Sequence, residues 1–173
     1  MIYFHSHDLI VRDMEQEDIE IFYNKYCSYG WNPNKETYIK YYQEQAEKKR
    51  MVFIAEYQGM VAGICTLVLN PDEGPFGNQE IPEIVDFGVF KEMRNLGIGT
   101  ALLDTVEKET SKLNKKVYLA VGVHSGYGAA QRLYVKRGYI PDGSGVWYQD
   151  KPLEQYAVCK NDDELLLFFS KDI

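Results

Sequence analysis

The stretch Arg94-Asn95-Leu96-Gly97-Ile98-Gly99-Thr100 lies between a strand-like run, Ile81 to Phe90 (IPEIVDFGVF), and a helical pattern that opens at Gly97. Backbone N–H groups at a helix start have no intrahelical acceptor, and the aligned peptide dipoles favour negative charge there. Two glycines let the main chain close on an anion. The segment therefore reads as a strand–turn–helix able to hold phosphate. A Walker A loop is disfavoured, because no Lys follows Gly99. A dinucleotide fingerprint is disfavoured too. Leu102 stands where its third glycine belongs, and no acid occurs from Thr110 to Pro141, where the ribose ligand would fall. The bland alternative is a turn that only joins strand to helix.

Outward from this turn, the periodicities fill in the rest. Ile19, Phe22, Tyr23 and Tyr26 recur at helical spacing, with Asp13 as the expected N-cap. Tyr38, Tyr41, Tyr42, Gln45 and Ala46 share the face of a second helix. Leu9–Arg12, Met51–Tyr57 and Met60–Leu69 read as strands, the last two joined by a tight hairpin at Gln58-Gly59. Lys116–Val123 reads as a buried strand and Tyr127–Arg137 as a helix ended by Gly138. Tyr139-Ile140 and Val146-Trp147-Tyr148 flank an expected turn, PDGSG, and Glu164–Ser170 forms the last strand. A strand–helix–strand unit from Ile81 to Val123 calls for a parallel crossover, and the hairpins around it add antiparallel strands. The expected fold is α/β: a mixed, mostly antiparallel sheet of six to seven strands, a central parallel pair, and helices on both faces. Its 173 residues suit a single domain over 1–173.

The net charge is −7. Such a balance argues against nucleic acid and anionic membranes as partners. The charge is unevenly spread. Thr110–Pro141 carries Lys112, Lys115, Lys116, Arg132, Lys136 and Arg137, a local +6, which leaves 13 basic against 26 acidic residues elsewhere, or −13. This block fits a small polyanion bound in one place; a solvated basic face is the plain alternative. Three widely spaced cysteines, Cys27, Cys65 and Cys159, form neither a disulfide framework nor a zinc pattern. No signal-peptide layout opens the chain and no apolar run would span a bilayer, so a cytoplasmic protein is expected. His5 and His7 lack partners in the pattern of a metal site, and no metal is expected.

Arg-x-x-Gly-x-Gly at Arg94–Gly99, following a strand that ends near Val89, resembles the acyl-CoA motif of the GNAT N-acetyltransferase superfamily. Ala130-Gln131-Arg132-Leu133-Tyr134-Val135-Lys136-Arg137-Gly138-Tyr139 resembles the family's A-x-x-L-Y-x-x-x-G-[FY] motif. A strand separates the two, as in the family. The resemblance implies a cleft where the central parallel strands splay apart, with acetyl-CoA as the acetyl donor. It implies pantetheine along Phe87 to Val89 and pyrophosphate on the N–H groups of Leu96, Gly97, Ile98, Gly99 and Thr100, in the turn begun by Arg94 and Asn95. Arg132 and Lys136 are expected, with Lys112 and Arg137, near the 3′-phosphate. One departure stands out: the family often has Asn or Ser three residues before Ala130, and this chain has Tyr127.

Acetyl transfer to an amine needs a base, because an alkylammonium has a pKa near ~10. It also needs a donor to the carbonyl oxygen and a proton for the leaving thiolate. Glu83 is the favoured base, on its spacing to the glycines and its resemblance to the strand glutamate of histone-type members. Asp86, an odd acid in an apolar strand, is the second choice; it could instead hold Arg94 or bind the substrate's ammonium. The backbone N–H of Val89 or its neighbour is expected to face the oxygen, and Tyr134 matches the family's acid. Each has a plainer reading, a surface charge for Glu83 and a packed core ring for Tyr134. Cys65 reads as core.

In this superfamily the two N-terminal helices form the acceptor wall. Here they carry Tyr26, Tyr29 and Trp31 among many tyrosines, which with Asp72-Glu73 suit a cationic amine. A tyrosine-rich core stripe is the alternative. A small-molecule amine is expected, by direct transfer in a ternary complex. A peptide or protein N-terminus or a lysine is the runner-up, and a non-catalytic acyl-CoA sensor is the reading of another class. A homodimer is left open.

Overall fold

The computed structural model describes residues 1–173. Its elements run β1 (Ile2–His5), β2 (Leu9–Asp13), α1 (Asp18–Ser28), α2 (Lys35–Ala46), β3 (Arg50–Tyr57), β4 (Met60–Val68), β5 (Glu83–Val89), α3 (Ile98–Ser111), β6 (Lys116–Gly122), α4 (Gly128–Lys136), β7 (Ile140–Tyr148), β8 (Lys151–Pro152) and β9 (Leu165–Asp172). The chain packs as two compact units, 1–68 with 86–109, and 69–85 with 110–173.

In the first unit β1, β2, β3 and β4 pair antiparallel in sequence order. Gln58 and Gly59 both have positive φ, the geometry of the tight hairpin their sequence announces. Phe22, Tyr41, Val52, Ile54, Ile64 and Phe90 bury one face of α1 and α2 against the strands. Asp13 is not the N-cap of α1. It ends β2, accepting from the N-terminal amine at 2.7 Å and from the Tyr3 hydroxyl. The helix starts five residues later, where buried Asp18 accepts from Glu15 N–H at 2.7 Å and takes both Nη atoms of Arg12 at 2.7 and 3.0 Å.

In the second unit β5 pairs with β6 in parallel, and β6, β9, β7 and β8 follow antiparallel. The parallel register covers Glu83↔Tyr118 and Ile84↔Leu119. Tyr118, Trp147 and Phe168 pack with Phe76 and Ile81 into a second core. Gly138, at φ +88°, closes α4: its N–H meets Val135 O and that of Tyr139 meets Tyr134 O, both at 3.0 Å.

The strands number nine, not six to seven. The edge strand β1 and the two-residue β8 are additions. PDGSG is no hairpin turn either. Both flanks pair with β9 in one direction, Pro141↔Phe169 and Val146↔Leu167, so the intervening residues bulge out of a single strand.

Candidate active site

In the first unit the glycine turn leads directly into a helix, as its sequence announces. Asn95 and Gly97 adopt φ of +64° and +79°, and α3 begins at Ile98. The first helical N–H to reach a carbonyl is that of Ala101, 3.0 Å from Gly97 O. Those of Ile98, Gly99 and Thr100 precede it. The two glycines serve different ends. A Cβ on Gly97 would meet nothing within 4 Å, so this position needs glycine for its backbone angle alone. A Cβ on Gly99 would stand 3.1 Å from the Phe87 ring, so that glycine lets the helix start approach β5. Arg94 donates from Nε to Val89 O at 3.3 Å, tying the turn to the end of that strand.

Asp86 interrupts β5 with φ +52°, a left-handed residue in the middle of a strand. Its carboxylate accepts from the Tyr41 hydroxyl, and it is not ion-paired with Arg94. A pocket of about 130 Å³ surrounds it, lined by Tyr26, Thr37, Tyr38, Tyr41, Ile64, Phe87 and Gly88. Tyr26 stacks on Tyr38 at 6.3 Å and on Trp31 at 5.1 Å, the second pair only 8° from parallel. Burial, reinforced by the Asp86 charge, pushes the Tyr26 hydroxyl up to about 12, with Arg94 opposing. Burial and then Asp86 raise Tyr41 as well. These hydroxyls stay protonated.

Of the three aromatic residues expected to form the acceptor wall, Tyr26 lines the pocket and Trp31 backs it. Tyr29 instead reaches the turn that follows β5, where its hydroxyl donates to Glu92 at 2.5 Å and accepts from Lys91 N–H at 3.0 Å. Asp72-Glu73 belongs to the second unit. Tyr38 and Tyr41 carry the helical pattern of a core face, so their part in a polar pocket could not be read from spacing. Cys65 is buried and its thiol is raised by that burial, as a core cysteine should be.

In the second unit Glu83 accepts from the Tyr118 hydroxyl at 3.3 Å. Tyr134 is buried, its ring edge-on to Tyr139 at 5.9 Å. Tyr127, the departure from the family pattern, donates its hydroxyl to Asp163 at 2.9 Å, and His124 Nε2 lies 3.0 Å from the same oxygen. Because His124 Nδ1 accepts from Gly126 N–H at 3.1 Å, the proton belongs on Nε2. The Tyr127 ring packs where a Cβ on Gly122 would be, 2.3 Å from its nearest atom. Nothing in the sequence linked Asp163 to this turn, 36 residues away. Arg132 and Lys136 stand one turn apart on α4, exposed and without an ion pair. They edge an apolar hollow of about 590 Å³ floored by Val121, Val123, Leu167 and Phe169.

The sequence model of the acetyltransferase (GNAT) family matches residues 13–139. An uncharacterized N-acetyltransferase of Methanocaldococcus jannaschii is 32% identical over 87 residues, covering 50% of this chain and 51% of that relative. The match thus spans about half the relative's length. Among solved structures, an acetyltransferase of Salmonella typhimurium that modifies the N-terminal serine of ribosomal protein L7/L12 superposes with a TM-score of 0.74. Its identity is 12%, over 100% of this chain and 99% of that one. A ribosomal L7/L12 alpha-N-protein acetyltransferase, RimL, in complex with coenzyme A, gives a TM-score of 0.73 at 12% identity, covering 100% and 98%. At such identities the likeness is one of fold.

Proposed function

Because the chain belongs to the acetyltransferase (GNAT) family, we propose that it moves the acetyl group of acetyl-CoA onto the primary amine of a small molecule, directly, with both substrates bound. The observation that carries the acceptor side is the tyrosine-lined pocket around Asp86. A carboxylate among aromatic faces suits an ammonium, through charge and through the rings.

Acetyl-CoA would supply the acetyl group as a thioester. The N–H groups of Ile98, Gly99 and Thr100 would hold its pyrophosphate, and Arg132 and Lys136 would meet its 3′-phosphate. Phe87 and Val89 would line the pantetheine arm. Tyr127 has already committed its hydroxyl proton to Asp163, so it has none to donate to the pantetheine. Asp86 would orient the ammonium. Glu83 would take the proton the amine must lose, and the freed lone pair would form the C–N bond as the C–S bond breaks. The Val89 N–H would face the thioester oxygen; that of Phe90 is spent on Ala62 O at 2.8 Å. Tyr134 would give its phenolic proton to the departing sulfur as the C–S bond breaks, so that coenzyme A leaves as the neutral thiol.

A thiol-release screen of acetyl-CoA against amines, amino acids, polyamines, aminoglycosides and peptide N-termini tests this. Release with a small amine above all peptides is expected, and Tyr134→Phe should lower turnover more than acetyl-CoA affinity. Binding of acetyl-CoA without release in any arm would defeat the enzyme reading. Absence of any melting shift with acetyl-CoA would defeat the donor assignment.

A further inference from the structure

Resting on that acetyl-transfer reading, we infer that the Tyr26–Tyr38–Tyr41–Asp86 pocket selects a primary ammonium carried on an unbranched carbon chain, and rejects amines branched at the carbon that bears nitrogen. Size is the first ground. A pocket of about 130 Å³ is small beside the roughly 300–1,000 Å³ of ordinary ligand clefts, so it suits the slender end of an aminoalkyl chain.

The walls are the second ground. Tyr38 lies 6.0 Å from Phe22 in a stacked pair, and Tyr41 meets Tyr38 edge-on at 6.3 Å. Phe22 is fully buried and Ile64 and Tyr41 nearly so. Rings wedged in this way do not retreat for an extra methyl, and close-packed surroundings resist added volume.

Charge is the third ground. Asp86 is the one acid of the lining. Tyr41 engages its Oδ2, and Oδ1 has no partner within the chain. The carboxylate thus keeps one oxygen for an ammonium, with aromatic faces around it. Its left-handed backbone holds the side chain where an extended residue would point elsewhere, and strain of this kind collects at ligand sites. A peptide α-amine, whose carbon carries both a side chain and a carbonyl, fails the size requirement; a lysine-like aminoalkyl end meets it.

The test compares n-butylamine with sec-butylamine, isomers of equal charge, alongside a lysine-containing peptide and a peptide with N-terminal Ala. We expect kcat/KM for n-butylamine to exceed that for sec-butylamine and for the Ala N-terminus by at least about tenfold, since a methyl in an apolar pocket is worth roughly 10–200-fold. Asp86→Asn, which still accepts from Tyr41, should raise the KM for n-butylamine at least about tenfold while leaving the melting shift given by acetyl-CoA. Ile64→Val, which widens the pocket, should narrow the gap between isomers. Equal use of the two isomers, or a KM unmoved by Asp86→Asn, overturns the inference and leaves acetyl transfer standing. A melting shift with n-butylamine but not with sec-butylamine, without thiol release from acetyl-CoA, overturns acetyl transfer and upholds the selection. Release and melting shift both absent with all amines overturns both.

Discussion

Tyr41 of α2 donates its hydroxyl to the carboxylate of Asp86 in β5, across 45 residues of sequence. The Arg50 guanidinium lies 4.4 Å from the centre of the same ring, held in turn by Glu44 at 2.7 Å. The ring is thus fixed by a cation on its face and by an acid at its tip. Tyr41→Phe keeps the first contact and deletes the second. It should lose about 1 kcal/mol of stability, a Tm drop of about 2–4 °C by calorimetry. The amine KM should rise more than kcat falls. An unchanged KM would separate Tyr41 from the acceptor.

The two turn glycines should fail differently. Gly97→Ala forces a side chain into a left-handed angle and should cost about 1 kcal/mol, while Gly97→Asn, which tolerates that angle, should cost less. Gly99→Ala pushes on the Phe87 ring at 3.1 Å, so it should weaken acetyl-CoA binding more than it lowers Tm. Calorimetric titration beside thermal melts checks the pair; equal affinity losses in both would count against this division.

Alkaline pH probes the pocket from another side. Tyr26 is raised to about 12 in the folded chain by burial and then by Asp86, against ~10 unfolded. The folded state holds that proton more tightly. The stability this contributes is fully present below pH ~10 and is lost as pH climbs from ~10 through 12. Tyr26→Phe should flatten the decline of Tm over that window. Identical alkaline slopes in the two proteins would show that Tyr26 ionises unhindered.

Arg12 guards the stability of the first unit. It binds Asp18, which is 1% exposed, through two nitrogens, and Glu56 at 2.8 Å. Arg12→Ala strands a buried carboxylate and should cost about 3–5 kcal/mol, a fall in Tm of roughly 10 °C. Adding Asp18→Ala should recover part of it, because the stranded charge is gone. Additive losses in the double variant would refute the coupling.

The glycine turn, the parallel β5–β6 pair and the order of helices were legible because each rests on local signals: periodicity, a glycine with positive φ, a run of apolar residues. What escaped was set by tertiary packing. β1 is mostly exposed and has no apolar alternation to announce it. PDGSG carries turn residues, yet β9 holds both its flanks in one strand. Asp13 looked like a cap because residue types alone cannot tell the end of a strand from the start of a helix. At the candidate site, Asp86 was conspicuous as an acid among apolar neighbours. Its partner Tyr41 was hidden within a regular helical face, and Asp163 lay in a loop whose sequence says nothing of His124 or Tyr127.

The Tyr127 ring fills the space that a side chain on Gly122 would need. The two positions therefore cannot drift independently. A lineage that restores Asn or Ser at 127 frees residue 122 to enlarge, whereas one that keeps the tyrosine holds 122 to glycine. Among relatives the pair should be inherited as a single character, visible as covariation between the end of β6 and the turn before α4.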